Sequence, residues 1–199
     1  FGIEENKVAP IRAKMFGVLV VKRSDGIIGY LAGFSGKLLD QPHPTIFVPS
    51  LFDISVNDKS FSRGMVSLTE INNKIKSLQT INSNKGLVEI QQLKDERKAK
   101  SLALQKEMLD QYYFLNLDGQ AKSIYNIFEV FNGKLPPGGA GDCAAPKLLQ
   151  YAFSHNMIPL AIAEFWWGNK PTTDKKHKLY YPSCTDKCLP ILNYMLGRD

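Results

Sequence analysis

The chain has three cysteines, Cys143, Cys184 and Cys188, all in its last third, where both tryptophans also lie. An odd number of cysteines confined to one region argues against a secreted disulfide framework and for a thiol or metal site. Zinc takes four ligands, thiolate and imidazole foremost, and two ligands a few residues apart at a helix start are a recurring way to present a pair. Cys184 and Cys188 have that spacing. Cys143 adds a third thiolate, which leaves the fourth position to water, to His155 or His177, or to a substrate. The C-x3-C pair alone is a weaker signal than C-x2-C. Its weight comes from Cys143 standing at a matching helix start, and three ordinary thiols remain the alternative reading.

The surrounding residues predict how these side chains are positioned. Pro136-Pro-Gly-Gly-Ala-Gly-Asp142 is a loop whose glycines allow tight turns, with Asp142 a suitable N-cap and Cys143 in the first helical turn. Leu148, Leu149, Ala152 and Phe153 recur at helical spacing, and the helix is expected to end near Ser154-His155-Asn156. The apolar run Ile158 to Trp167 reads as a buried strand. A lysine-rich loop, Gly168 to Lys178, leads to a last helix capped by Thr185 or Asp186 with Pro190 in its first turn. The predicted order is helix, strand, helix, with cysteines at both helix starts and both helix dipoles favouring thiolate.

Earlier in the chain, Met15–Val21 and Ile27–Phe34 are strand-like, and Ser24-Asp25-Gly26 carries the signal for a tight turn between them. The prolines between Ser35 and Phe61 forbid long regular structure and predict an ordered loop over the sheet, anchored by Phe47, Leu51 and Phe52. From Ser67, with a Ser67-x-x-Glu70 capping box, the pattern turns helical; it breaks over Thr80–Gly86 and resumes from Val88 to Tyr113 among many lysines. These two stretches predict an antiparallel helical hairpin or short coiled coil projecting from the body. Asn116-Leu-Asp-Gly119 makes a turn, and Ser123 to Phe131 a short helix. The expected fold class is α+β, three-layer-like, with a small sheet containing a β-hairpin flanked by helices. Residues 1–66 and 114–199 complete one domain, and 67–113 form the helical insertion.

With 199 residues and 44% hydrophobic content the composition is that of a globular chain with one core, and no apolar run reaches the ~18 residues of a membrane helix. No signal-peptide pattern is visible, so the expectation is a cytoplasmic protein without membrane association. Phe1 in place of an initiator methionine suggests a piece of a longer chain. The net charge of +6 permits a polyanion partner. The densest basic run holds Lys170, Lys175, Lys176, His177 and Lys178 and lies beside Trp166, Trp167, Tyr180 and Tyr181. Lysines of this kind contact phosphates and such aromatics stack on unpaired bases, although a solvated loop over core aromatics has the same composition.

Two resemblances rest on these residues. A β-hairpin, a one-cysteine helix start, a strand and a two-cysteine helix start are similar to the zinc-dependent nucleobase deaminase fold, whose pattern places a His or Cys two residues before a catalytic Glu and a Pro-Cys-x-x-Cys downstream. Here Cys143 matches the first ligand, but Ala145 stands where the Glu belongs, and the Pro182-Ser183-Cys184 and Cys184-to-Cys188 spacings depart from the pattern. That likeness implies a fold and a metal rather than deamination, unless Glu164 substitutes as acid and base. Second, Lys14-Met-Phe-Gly-Val-Leu-Val-Val21, Gly29-Tyr-Leu-Ala-Gly-Phe-Ser-Gly-Lys37, Phe47-Val-Pro-Ser-Leu-Phe-Asp53, Gly139-Ala-Gly-Asp-Cys-Ala-Ala-Pro-Lys147 and Ala163-Glu-Phe-Trp-Trp-Gly168 resemble the N-terminal extension of a subset of bacterial RluA-type RNA pseudouridine synthases. In that family the catalytic Asp lies in an Arg-Leu-Asp signature, which this chain lacks.

The resemblance implies an accessory region without the synthase active site. It would lend RNA affinity, weak and of low specificity, to its own C-terminal synthase domain, with zinc at Cys143, Cys184 and Cys188 and RNA at Lys170, Lys175, Lys176, Lys178, Trp166 and Trp167. Two enzymatic alternatives stand beside it. One is a deaminase-like zinc enzyme using Glu164, and the other a cysteine hydrolase with Cys143 activated by His155 or His177.

Overall fold

The computed structural model describes residues 13–36, 45–51, 59–81, 84–168 and 174–198. It is a mixed α+β structure that divides into two compact units, one built from 1–51 and 113–199 and the other from 52–112. The first unit holds the cysteines.

Its sheet starts with the predicted hairpin. β1 (Lys14–Lys22) pairs antiparallel with β2 (Ile28–Phe34), Phe16 opposite Phe34 and Lys22 opposite Ile28. Gly26 at φ 83° closes the turn, and the Asp25 carboxylate accepts the Ile27 N–H at 3.0 Å. β5 (Ile158–Trp167) lies antiparallel on the other side of β1, which gives the order β2-β1-β5. Alternation then sorts the side chains: Met15, Gly17, Leu19 and Val21 turn inward, and Phe16, Val18 and Val20 outward. On the outward face the rings of Phe16, Phe34, Phe47 and Phe165 cluster at centroid distances of 5.1 to 6.0 Å. Phe47 is thus an anchor, as expected, and Val48 N–H donates to Ala32 C=O at 2.8 Å; Phe52 lies outside the described residues.

The inward face is covered by α4 (Ala144–Ser154), which packs on β1, β2 and β5. The helix approaches so closely because Gly17 and Gly33 offer no side chain. A Cβ on Gly17 would stand 2.9 Å from Leu148 Cδ1 and 3.0 Å from Ala144 Cβ. Behind α4 lie α3 (Ile124–Asn132) and α5 (Leu189–Met195), with Phe114, Ile124, Phe128, Leu148, Ile191 and Met195 fully buried. In β2 it is Gly33 that marks the close approach, a Cβ there standing 3.2 Å from Val48 Cγ2 and 3.3 Å from Leu148, while a Cβ on Gly29 would meet no crowding.

A two-stranded ribbon, β3 (Tyr113–Leu115) and β4 (Ala121–Ser123), brackets the predicted Asn116–Gly119 turn. Asn116 Oδ1 accepts the N–H groups of Asp118 and Gln120, and Ser123 caps α3 through its hydroxyl to Asn126 N–H at 3.2 Å. The ribbon is tied to the core by Leu115 N–H to Gln150 Oε1 and by Tyr194 O–H to Gln120 C=O, both 2.8 Å.

The second unit is an antiparallel helical hairpin, α1 (Lys59–Ile81) and α2 (Asn84–Asp110), closed by Ile71, Ile75 and Ile90 with Leu78 and Leu93 beside them. Arg97 donates to Asn72 Oδ1 at 2.8 Å, and Lys100 reaches the Ser67 hydroxyl at 3.3 Å. The predicted start at Ser67 is corrected, because Ser67 lies well inside α1. The helix runs through Gly64, whose missing side chain lets α2 approach: a Cβ there would stand 2.7 Å from Leu104 Cδ1. No described helix is long and apolar enough to cross a membrane.

Candidate metal centre

The three cysteines come together from two segments far apart in sequence. α4 begins one residue later than expected: Cys143, not Asp142, is its N-cap, at φ −72° and ψ 160°. The reason is a competing bond, since the Asp142 carbonyl is held by Gly36 N–H at 2.7 Å, which fixes the chain just ahead of the helix. The last helix also starts later than predicted. Thr185 and Asp186 lie in a preliminary turn in which Cys184 C=O accepts Cys188 N–H at 3.3 Å and Leu189 N–H at 3.1 Å, and Cys188 itself is the N-cap, with Pro190 in the first turn.

What delivers this second segment is a short pairing with β5. Lys178 N–H donates to Trp166 C=O, Trp166 N–H to Leu179 C=O, and Tyr181 N–H to Glu164 C=O, at 2.7 to 3.0 Å. Pro182, Ser183 and Cys184 follow directly, so the pairing sets them over the inner face of the sheet. On the other flank Lys147, 2% exposed in the first turns of α4, donates to Phe34 C=O at 3.1 Å and to Gly36 C=O at 2.7 Å, which locks the helix start to the end of β2.

The ligand atoms of Cys143, Cys184 and Cys188 lie within 4.8 Å of one another, and Cys184 Sγ is 3.2 Å from Cys188 Sγ. Those separations bracket the about 3.8 Å edge of a tetrahedron with ~2.3 Å metal–sulfur bonds. All three are free thiols, Cys188 buried, Cys143 partly so and Cys184 exposed. The trio can hold a metal ion. Its protons are unevenly shared. The hydrogen bond from Cys188 pulls the Cys143 pKa below the usual thiol value against the effect of its own burial, with Cys184 and Lys187 helping and Glu164 opposing. The same bond, together with burial, pushes the Cys188 thiol far above that value. Of the two, Cys143 is the thiol that gives up its proton more readily and Cys188 the one that keeps it.

Glu164 belongs to this neighbourhood, which sequence reasoning raised only as a substitute acid. It is 7% exposed on the inner face of β5 opposite Gly17, and its Oε1 accepts the Ala145 N–H at 3.2 Å while its Oε2 accepts the Ser183 hydroxyl proton. The signal for it was available: a carboxylate between Ile162 and Trp166 at inward-facing strand positions.

Neither His155 nor His177 joins the cysteines. His155 stands at the far end of α4, stacked on Tyr151 at 4.0 Å, and His177 accepts Gly168 N–H at 3.0 Å with its ring edge-on to Trp167. Cys143 and His155 cap opposite ends of one helix, too far apart for the nucleophile–base pairing of a hydrolase.

No protein family, curated protein or solved structure matches the chain.

The basic run lies along the outer edge of β5. Lys175 Nζ sits 5.8 Å from the Trp166 ring and 5.2 Å from the Tyr181 ring, and Lys178 Nζ 5.3 Å from that of Trp167. Tyr180 is 73% exposed, and Trp167 is exposed. Trp166 is a correction: at 9% exposure it is a core residue on the inner face and has no ring face to offer a base. Lys176 is exposed, and Lys170 lies outside the described residues.

Proposed function

We propose that this chain is a zinc-bearing, RNA-directing accessory region of an RluA-type pseudouridine synthase, with no synthase active site of its own. The observation that carries the RNA role is the edge of β5, where Lys178 Nζ lies over the exposed ring of Trp167, the Tyr180 ring is exposed, and Lys175 and Lys176 belong to the same basic run, Lys175 over the rings of Trp166 and Tyr181. Lysines supply phosphate contacts that carry no sequence information, and exposed rings stack on unpaired bases of any kind, so such an edge binds single strands weakly and with little preference. Tethering to a synthase domain would convert that weak contact into useful local concentration. Zinc is the metal favoured by three thiolates, and its part here is to join the start of α4 to the segment leading into α5.

The test is fluorescence anisotropy with a labelled single-stranded RNA over a salt series. Three or four phosphate contacts give a log–log slope of about −2 to −3. Changing Lys175, Lys176 and Lys178 to Ala lowers both affinity and slope, and Tyr180→Ala costs about 1–3 kcal/mol if the ring stacks on a base. An unaltered chain with no salt-dependent binding at low ionic strength rules the RNA role out.

One observation favours a second reading, a zinc-dependent nucleobase deaminase. The Glu164 carboxylate rests on the amide of Ala145, the position at which the deaminase pattern has its own Glu. A zinc held by the trio would supply Lewis acidity, and Glu164 would carry protons between water and the leaving amine. The accessory reading expects no ammonia from cytidine, adenosine or guanosine. Release that is abolished in Glu164→Gln decides for the enzyme.

A further inference from the structure

The three thiols are brought together by two segments that share no secondary-structure element: Cys143 caps α4, while Cys184 and Cys188 lie in the turn before α5. Metal affinity depends on how well such ligands are held before the metal arrives, and groups bonded just behind the ligands do much of that holding. Lys187 Nζ bridges the two segments at a distance, donating to Gly138 C=O at 2.7 Å five residues before Cys143, whereas one side chain from β5 bonds next to a ligand on each segment. We infer that Glu164 is the positioning residue of the metal centre, a buried carboxylate that clamps the two cysteine-bearing segments together, with one oxygen on the amide of Ala145 and the other on the hydroxyl of Ser183.

The inference rests on the metal reading and adds to it the device that sets ligand spacing. Ala145 is two residues after Cys143, and Ser183 immediately precedes Cys184, so each bond acts next to a ligand. The carboxylate is held from behind as well. Glu164 faces Gly17 across the β1–β5 pair, and a Cβ on Gly17 would lie 3.6 Å from Glu164 Cγ and 3.0 Å from Ala144 Cβ, so the glycine leaves room for the side chain and the helix start together. Its backbone contributes too, because Glu164 C=O accepts Tyr181 N–H at 3.0 Å, three residues before Cys184. With both carboxylate oxygens engaged and the residue 7% exposed, the geometry suits holding better than proton transfer.

The test separates the clamp from its charge. Glu164→Gln can still accept from Ala145 N–H and donate to the Ser183 oxygen, whereas Glu164→Ala loses both contacts and Ser183→Ala loses one. Cobalt(II) and zinc affinities are measured by competition with a chromophoric chelator, with the cobalt–thiolate absorption as a signature of coordination and circular dichroism as a check on folding. Glu164→Ala is expected to weaken metal binding by about 10–100-fold, Ser183→Ala by less, and Glu164→Gln to stay near the unaltered chain. A Gln variant as weak as Ala, or an Ala variant as tight as the unaltered chain, overturns the inference. A metal-independent readout runs alongside: diamide cross-linking of Cys143 to Cys184 or Cys188 in the metal-free chain, mapped by peptide mass spectrometry. Should the unaltered chain bind neither metal, cross-linking that falls in Ala and persists in Gln retains the clamp and removes only the metal. Equal cross-linking in all variants removes the clamp.

Discussion

Gly17→Ala probes whether the sheet determines the position of the cysteine site. The new Cβ would lie 2.9 Å from Leu148 Cδ1, 3.0 Å from Ala144 Cβ and 3.6 Å from Glu164 Cγ. Leu148 Cδ1 is the end of a side chain and can rotate away into a neighbouring rotamer. Ala144 Cβ is fixed to the backbone of the first turn of α4, so relief there requires the helix start, and Cys143 with it, to move by a few tenths of an ångström. Overpacking of this kind costs about 1–3 kcal/mol. Replacing a strand glycine recovers about 0.4–1 kcal/mol by restricting the unfolded chain. The net expectation is a destabilisation of about 1–2 kcal/mol, or a fall in melting temperature of about 2–8 °C at this chain length. Both tryptophans belong to the first unit, so thermal melts followed by tryptophan fluorescence report that unit without the helical hairpin. Ala144→Gly should relieve part of the crowding, making the double variant more stable than the sum of the single changes implies. A Gly17→Ala chain as stable as the original, or more stable, refutes the claim that this glycine is required by the approach of α4.

Two further outcomes follow from the same geometry. In the metal-free chain Cys188 holds its proton well above the usual thiol range, so a metal must displace that proton; affinity therefore rises as pH rises, by about tenfold per pH unit for each proton released, and is lost toward acid. Calorimetric titration in buffers of different ionisation enthalpy counts the protons, and a pH-independent affinity contradicts the assignment. Lys147→Met, which removes the donor to Phe34 and Gly36 while keeping the stem, should cost about 1–3 kcal/mol in urea unfolding by leaving buried carbonyls unpaired, and a neutral effect would mean water replaces the ammonium.

The hairpin and α4 were legible because each carries its signal over many residues: Met15 to Val21 is an apolar strand-like run, Asp25-Gly26 turns, and Leu148, Leu149 and Ala152 recur at helical spacing; β5 was legible as a strand but not as a buried one, since Ile158, Leu160 and Ile162 are exposed. What escaped is either too short or decided elsewhere. β3 and β4 have three residues each, too few for a period to show, and are held by the Asn116 turn and the bond to Gln150. The start of α1 was missed because Ser67-x-x-Glu70 has the spacing of a capping box, and only the facing Leu104 shows why a glycine, Gly64, stands inside the helix ahead of it. Asp142 is by residue type the better cap than Cys143. The cap position was decided by Gly36, more than a hundred residues earlier in the chain, which no local rule could include.

The cysteines themselves were legible as candidates, whereas the group that holds them was not, and the difference is one of register. Local pattern placed Cys143 and Cys188 at helix starts, but whether those starts converge depends on which residue of β5 faces which residue of β1. The observed pairing sets Glu164 opposite Gly17 on the inner face. A slip of one residue would turn Glu164 outward, point Phe165 at α4 and leave Ala145 N–H and the Ser183 hydroxyl without their shared acceptor. A buried carboxylate with two hydrogen bonds is costly to misplace, since the charge would then be buried unpaired or the strand forced out of pairing. Glu164 thus resists the slipped register that its apolar neighbours Ile162 and Trp166 would tolerate, and the choice of register brings the three thiols together.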